Sequence, residues 1–165
     1  DVYKRQGPGL LMKRLGQRYV QYINRKYRRS GTLWEGRYRS CLVSEDHYLL
    51  GCYRYIEMNP IRAGMVAHPA EYQWSSYRAN AQGEASSLIN PHIHYLQRGQ
   101  EEGGRKQSYR ALFRHYLDSK LIEQIRQSTN GNYALGSSRF EREVSAALGR
   151  RAKRGKAGRP FSRSD

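Results

Sequence analysis

Three features of the sequence predict an α+β chain: helix, strand and helix, then a helical extension with a basic tail. Apolar residues recur at three- and four-residue spacing over 9–29 and again over 48–58. Between those two stretches, over 33–43, they alternate with charges as in a strand that packs one face. Beyond a small, polar stretch that begins near residue 84, three more helical patterns follow.

The first helix, "GLLMKRLGQRYVQYINRKYRR", carries Leu11, Met12, Leu15, Tyr19, Tyr22, Ile23 and Tyr27 as an apolar stripe. Lys13, Arg14, Arg18, Arg25 and Arg28 fill the remaining surface, and Gly31 in "RRSGT" marks the turn that ends it. The strand, "LWEGRYRSCLV", interleaves Trp34, Tyr38 and Leu42 with Glu35, Arg37 and Arg39. Ser44 followed by Glu45 and Asp46 reads as a capped helix start, with acids at the positive end of the dipole. That second helix should run to about Met58, where Pro60 pushes Asn59 towards extended geometry and stops it. A short turn of helix is expected through Ile61 to Val66 with Gly64 as its stop, and "HPAEYQWSSYRAN" reads as a loop with one more short helical segment.

The expected organisation is a non-native leader over 1–6, a first region over 7–84, a helical extension over 85–149 and a disordered basic tail over 150–165. The leader resembles translated adaptor sequence, and the missing initiator Met suggests a truncated reading frame. In the extension, "KQSYRALFRHYLD", "SKLIEQIRQST" and "SSRFEREVSAALGRR" are the helical patterns. The last two are joined by a Gly-containing connector, longer than that of a standard helix-turn-helix.

Charge narrows the partner. The chain has 30 Lys and Arg against 14 Asp and Glu, a formal net charge of +16. Polyanions are the usual counterpart of such an excess, because binding them releases counterions. No apolar run approaches the roughly 18 residues that span a bilayer, so nucleic acid is favoured over a membrane. Between Lys13 and Arg39 lie nine cations and one acid, and from Arg150 onward seven cations and one acid. Fourteen tyrosines against three phenylalanines add faces on which bases can stack, although helix boundaries also tolerate Tyr. Cys41 and Cys52 have no CxxC partner, which fits neither a zinc ribbon nor a disulfide framework and suits a reduced cytosol.

The stretch "CYRYIEMNPIRAG" holds the candidate chemistry. Tyr48, Cys52, Tyr55 and Asn59 share one helical face, and Leu49, Tyr53 and Ile56 a neighbouring one. Periodicity does not choose between two packing tyrosines and one reactive hydroxyl. A tyrosine attacks phosphorus well only where a cation stabilises the developing charge, and an asparagine one turn away offers an oxygen to a hard metal such as Mg²⁺.

The segments "KRLGQRYVQYINRKYRRSGTLWEGRYRSCLV" and "YLLGCYRYIEMNPIRAGMVAHPAEYQWSSYRAN" resemble the REP-associated tyrosine transposases, a bacterial branch of the single-tyrosine HUH transposases. The likeness covers nearly the whole chain after residue 8, and Tyr-Ile-x-x-Asn-Pro is its most specific part. It implies a ferredoxin-like palm that carries the tyrosine helix, here without its first strands and with an exposed strand edge prone to association. It implies Tyr55 as the nucleophile that cleaves and rejoins hairpin-containing single-stranded DNA through a 5′-phosphotyrosine. Asn59 stands where the family completes a Mg²⁺ or Mn²⁺ site. The family's His-hydrophobic-His pair precedes these helices and is absent here, so this chain is expected to bind DNA, hold no metal and leave strands uncut. "HIH" at 92–94 comes in the wrong order to replace that pair, and His47, His68 and His115 read as isolated surface residues.

On this reading Arg25, Arg28, Arg29, Arg37 and Arg39 contact phosphates. Trp34 stacks on a base or packs in a core, and Arg150, Arg151 and Arg159 extend the contact into the tail, where "KAGRP" is a weak minor-groove pattern. Neither a membrane nor a small-molecule substrate is expected, and the location expected is the bacterial cytoplasm, at the nucleoid. The rival reading is a non-catalytic DNA- or RNA-binding module built on the basic helices and tail.

Overall fold

The computed structural model describes residues 7–44 and 47–155, an α+β chain that is mostly helical with one two-stranded parallel sheet. The leader 1–6, the acids Glu45 and Asp46 of the expected helix start, and Arg159 with "KAGRP" in the tail lie outside the described residues. Two compact units divide at Ser40 and Cys41.

The first unit is helix α1, Pro8–Lys26, and the segment that follows it. Proline suits the first turn because its missing N–H has no helical partner there, and Arg25 and Lys26 complement the dipole at the other end. Arg28, at φ 48°, and Gly31, at φ 91°, reverse the chain in the left-handed region, and Asn24 Nδ2 closes the turn on Gly31 O at 2.9 Å. Residues 32–40 then run back along α1. The ring centroids of Trp34 and Tyr19 are 6.1 Å apart, and the indole lies over Gly16, where an added Cβ would meet Trp34 Nε1 at 3.2 Å. Tyr38 reaches Gly9.

This corrects the strand expected over 33–43, since only Leu42–Val43 (β1) is a strand. A strand needs a ladder, and the aromatic residues of 33–40 are satisfied by the side of a helix instead. The expected exposed strand edge is therefore not formed in this segment. No residue of α1 is buried; Leu11 is 66% and Leu15 57% exposed.

In the second unit, helix α2 (His47–Glu57) ends at Met58, and a new turn, α3 (Asn59–Arg62), begins at once. The break falls where Pro60 demands it, but Asn59 is helical and not extended as expected. Pro60 takes the second position of the new turn, where its missing N–H costs nothing. Gly64, at φ 67°, follows as the expected stop. His68 caps a 3₁₀ turn at Pro69–Glu71 with Nδ1, and a π turn spans Arg78–Gln82. Helices α4 (Ile93–Leu96), α5 (Glu102–Ala111), α6 (Ser119–Gly131) and α7 (Ser138–Leu148) complete the unit. His92, Asp118 and Ser137 cap α4, α6 and α7.

Strand β2 (Ala134–Leu135) lies between α6 and α7 and pairs in parallel with β1, Leu42 opposite Ala134 and Val43 opposite Leu135. The connector between the last two helices thus holds a strand, β2, instead of the plain turn of a helix-turn-helix. On the other side Ala134 N donates to Ala152 O at 2.8 Å, and Ala152 is 1% exposed with its N–H on Ser145 Oγ. Residues 150–155, expected as the start of a disordered tail, are therefore docked at the sheet. Arg150 adds a bond to Asn132 O.

The core is built of tyrosines. Tyr77, Ala81, Tyr95 and Tyr109 are buried together, with Leu50, Tyr53, Leu112 and Phe113 packed against them. The rings meet edge to face, Tyr77 on Phe113 at 4.9 Å and Tyr95 on Tyr109 at 5.5 Å. At their centre Glu57 is fully buried. Its oxygens accept from Ser76 Oγ at 2.6 Å, Tyr109 hydroxyl at 2.9 Å and Asn80 Nδ2 at 3.4 Å. Tyrosine suits this core because Glu57 and Asn80 O give the hydroxyls of Tyr109 and Tyr95 somewhere to donate. Residues on both sides of position 84 share it, so the boundary expected there does not divide the fold.

Candidate functional site

The helix break at Met58 sets the site. Met58 N still reaches back to Arg54 O, and Arg62 N donates to Met58 O, so helical bonding carries on from α2 into α3. Tyr53 and Tyr55 leave α2 on different sides. Tyr53 packs against the tyrosine core, where burial first and Glu57 second push its hydroxyl pKa up. Tyr55 faces away from that core and is half-buried.

Arg62 organises this face. Its Nη2 donates to Tyr55 O at 2.8 Å and to Asn59 Oδ1 at 2.9 Å, and its guanidinium lies 4.2 Å from the centroid of the Tyr55 ring. Sequence reasoning picked Tyr55 and Asn59 and missed Arg62. The signal was there, since 55, 59 and 62 are spaced four and three and so share a face. Desolvation lowers the pKa of Arg62, the Tyr55 hydroxyl partly restores it and Arg126 on α6 lowers it further. Among the described residues no carboxylate pairs with Arg62.

A divalent metal does not fit these residues. Asn59 Oδ1 already accepts from a guanidinium, whose charge repels a second cation, and among the described residues no three His, Cys, Asp or Glu side chains gather. His92 and His94 stand 5.1 Å apart, ring to ring, but His92 Nδ1 accepts the His94 N–H as a helix cap, so the pair is structural.

Arg25, Arg28, Arg29, Arg37 and Arg39 are exposed in the first unit, Arg37 and Arg39 on irregular chain and not on the strand expected. Of these Arg37, together with Lys13, lines a groove of about 1270 Å³ between α1 and residues 32–38, whose apolar lining includes Met12, Leu15, Tyr19, Trp34 and Tyr38. Trp34 is half exposed there, held by Gly16 and Tyr19 and free on its other face. In the second unit Arg150 and Arg151 are exposed beside the docked Ala152. Among the described residues no helix is long and apolar enough to cross a membrane. No family model matches the chain, and no curated protein or solved structure is similar to it at a significant level.

Proposed function

We propose that this chain is the tyrosine-bearing part of a REP-associated type of transposase, a bacterial cytoplasmic protein that acts at the nucleoid on hairpin-containing single-stranded DNA within a ferredoxin-like palm. One observation carries the reading. Tyr55 lies against a guanidinium that has no carboxylate partner among the described residues, with Asn59 one turn away on the same side.

In the reaction the Tyr55 oxygen attacks a backbone phosphorus. A bond from phosphorus to the tyrosine oxygen forms, the bond to the 3′ oxygen breaks, and the phenolic proton is transferred overall to the departing 3′-hydroxyl. Arg62 offers positive charge over the ring that carries the attacking oxygen. Since the residues present do not fit the family's Mg²⁺ or Mn²⁺, no step is routed through a metal, and cleavage is assigned only to a polypeptide that carries a His-hydrophobic-His strand ahead of residue 7. Hairpin-flanked single-stranded DNA should bind this chain without being cut. A polypeptide extended by such a strand should cut it with Mg²⁺ or Mn²⁺ and lose that activity in Tyr55→Phe. Cleavage that survives Tyr55→Phe sinks the assignment.

The nine cations between Lys13 and Arg39, two of which (Lys13 and Arg37) line the aromatic groove of the first unit, favour a second reading, a nucleic-acid-binding module without catalysis. Equal affinity for DNA and RNA oligonucleotides of one sequence, with no covalent adduct from the longer polypeptide, would establish it.

A further inference from the structure

The groove of the first unit is built around one indole. Asn24 Nδ2 closes the chain reversal on Gly31 O at 2.9 Å, and Thr32 Oγ1 accepts the Trp34 N–H at 3.0 Å, so the backbone is pinned just ahead of the ring. One side of the indole rests on α1, over Gly16 and 6.1 Å from the Tyr19 centroid, while half of Trp34 stays exposed. Gly16 admits the ring, since a Cβ there would crowd Trp34 Nε1 at 3.2 Å. Tyr38, also half exposed, stands beside Gly9 on the same wall. Tyr77, Tyr95 and Tyr109 close a core, whereas these rings are held open to solvent.

Size and charge choose the occupant. A volume of about 1270 Å³ exceeds the roughly 300–1,000 Å³ that takes a drug-sized ligand, so the groove suits a length of chain. Lys13, Arg37 and Glu35 line it, and Glu35 is the one acid against nine cations between Lys13 and Arg39. A second copy of this chain would press two such sets of cations together, whereas a polyanion neutralises them. A duplex hides its bases in its own stack. A single strand offers an apolar planar face beside each phosphate, and the groove holds the complement of both, rings and cations.

We propose that this groove is a base-stacking site for single-stranded DNA, in which an unpaired base lies on the free face of Trp34 and Lys13 and Arg37 take the flanking phosphates. The site rests on the reading of this chain as a binder of single-stranded DNA, and it involves neither Tyr55 nor Arg62. It gives α1, which has no buried residue, a ligand of its own.

Trp74 is the other tryptophan, largely exposed and outside the groove, so Trp74→Phe leaves Trp34 as the sole reporter. A short oligothymidylate should quench its emission saturably, and a duplex of equal length should quench it far less. Trp34→Leu should weaken oligothymidylate binding at least about fivefold at an unchanged salt slope, with most of the loss recovered in Trp34→Phe. Lys13→Gln and Arg37→Gln should each lower the salt slope by about 1. Trp34 emission that stays constant while anisotropy shows the DNA bound overturns the groove and leaves the chain a DNA binder. Equal quenching by the duplex also overturns it, as does a Trp34 response to phosphatidylglycerol vesicles but not to the oligonucleotide. Equal affinity for oligouridylate overturns the choice of DNA. The emission measurement leaves the groove intact and stays decisive if Trp34→Leu disturbs residues 32–38. Saturable quenching without a Tyr55 adduct from the extended polypeptide upholds the groove and sinks only the nucleophile.

Discussion

Tyr109 donates its hydroxyl to Glu57 at 2.9 Å, a bond between α5 and the end of the tyrosine helix that neither helix pattern foreshadows. It ties the helical extension to the segment with the candidate chemistry. Tyr109→Phe leaves a buried carboxylate oxygen without its donor, at a cost of about 1–3 kcal/mol. Urea unfolding should show the loss, while Tyr116→Phe, at an exposed ring, should leave stability unchanged.

Burial raises the Glu57 pKa, and its bonds from Ser76, Tyr109 and Asn80 offset only part of that rise. The folded chain thus holds the proton more tightly than the unfolded chain. The contribution of Glu57 to stability is complete below the ordinary carboxylate range, and it falls as pH rises through the folded value. Urea melts from pH 4 to 8 should show stability declining relative to Glu57→Gln, which lacks the titration. A difference that stays constant across this window would contradict the assignment.

Cys52 is pushed up to about 11 by burial, with Cys41 adding to the shift. At pH 8 its thiolate population should be about a hundredfold below that of an ordinary thiol. Iodoacetamide followed by mass spectrometry should label Cys52 slowly in the folded chain and fast in urea. Equal rates in the two states would show that the site is open.

The arginines at the end of α1 give a salt signature. Replacing Arg25 and Arg29 with Gln should lower affinity for single-stranded DNA and reduce the salt slope by about 1 for each phosphate no longer neutralised. Fluorescence anisotropy at three salt concentrations measures both. Arg28 is held at φ 48°, so Arg28→Gly should relieve backbone strain while it removes a charge.

Local patterns were readable where local forces decide. The stripe of α1, the stop at Pro60 and the Gly64 turn follow from periodicity and backbone sterics, as do α6 and α7. The spacing of Tyr55 and Asn59 put them on one face. What escaped depends on distant partners. Trp34 and Tyr38 suit a strand in isolation, yet they lie on a helix, and the true strand finds its ladder at Ala134–Leu135. Tyrosines that suggested base stacking form a core because Glu57 and Asn80 O accept from Tyr109 and Tyr95. The spacing of Arg62 put it on the Tyr55 face too, but its bonds to Tyr55 O and Asn59 Oδ1 are side-chain geometry that composition does not convey.

The parallel pairing of Leu42 with Ala134 also sets a timetable for folding. Its two halves are about ninety residues apart, so closing it costs loop entropy that helix formation along the way does not repay. On a ribosome, β1 emerges early and must wait, unpaired, until β2 and then Ala152 have been made. A chain stopped short of residue 134 would keep its tyrosine helix but lose the lock on the residues that lead into it.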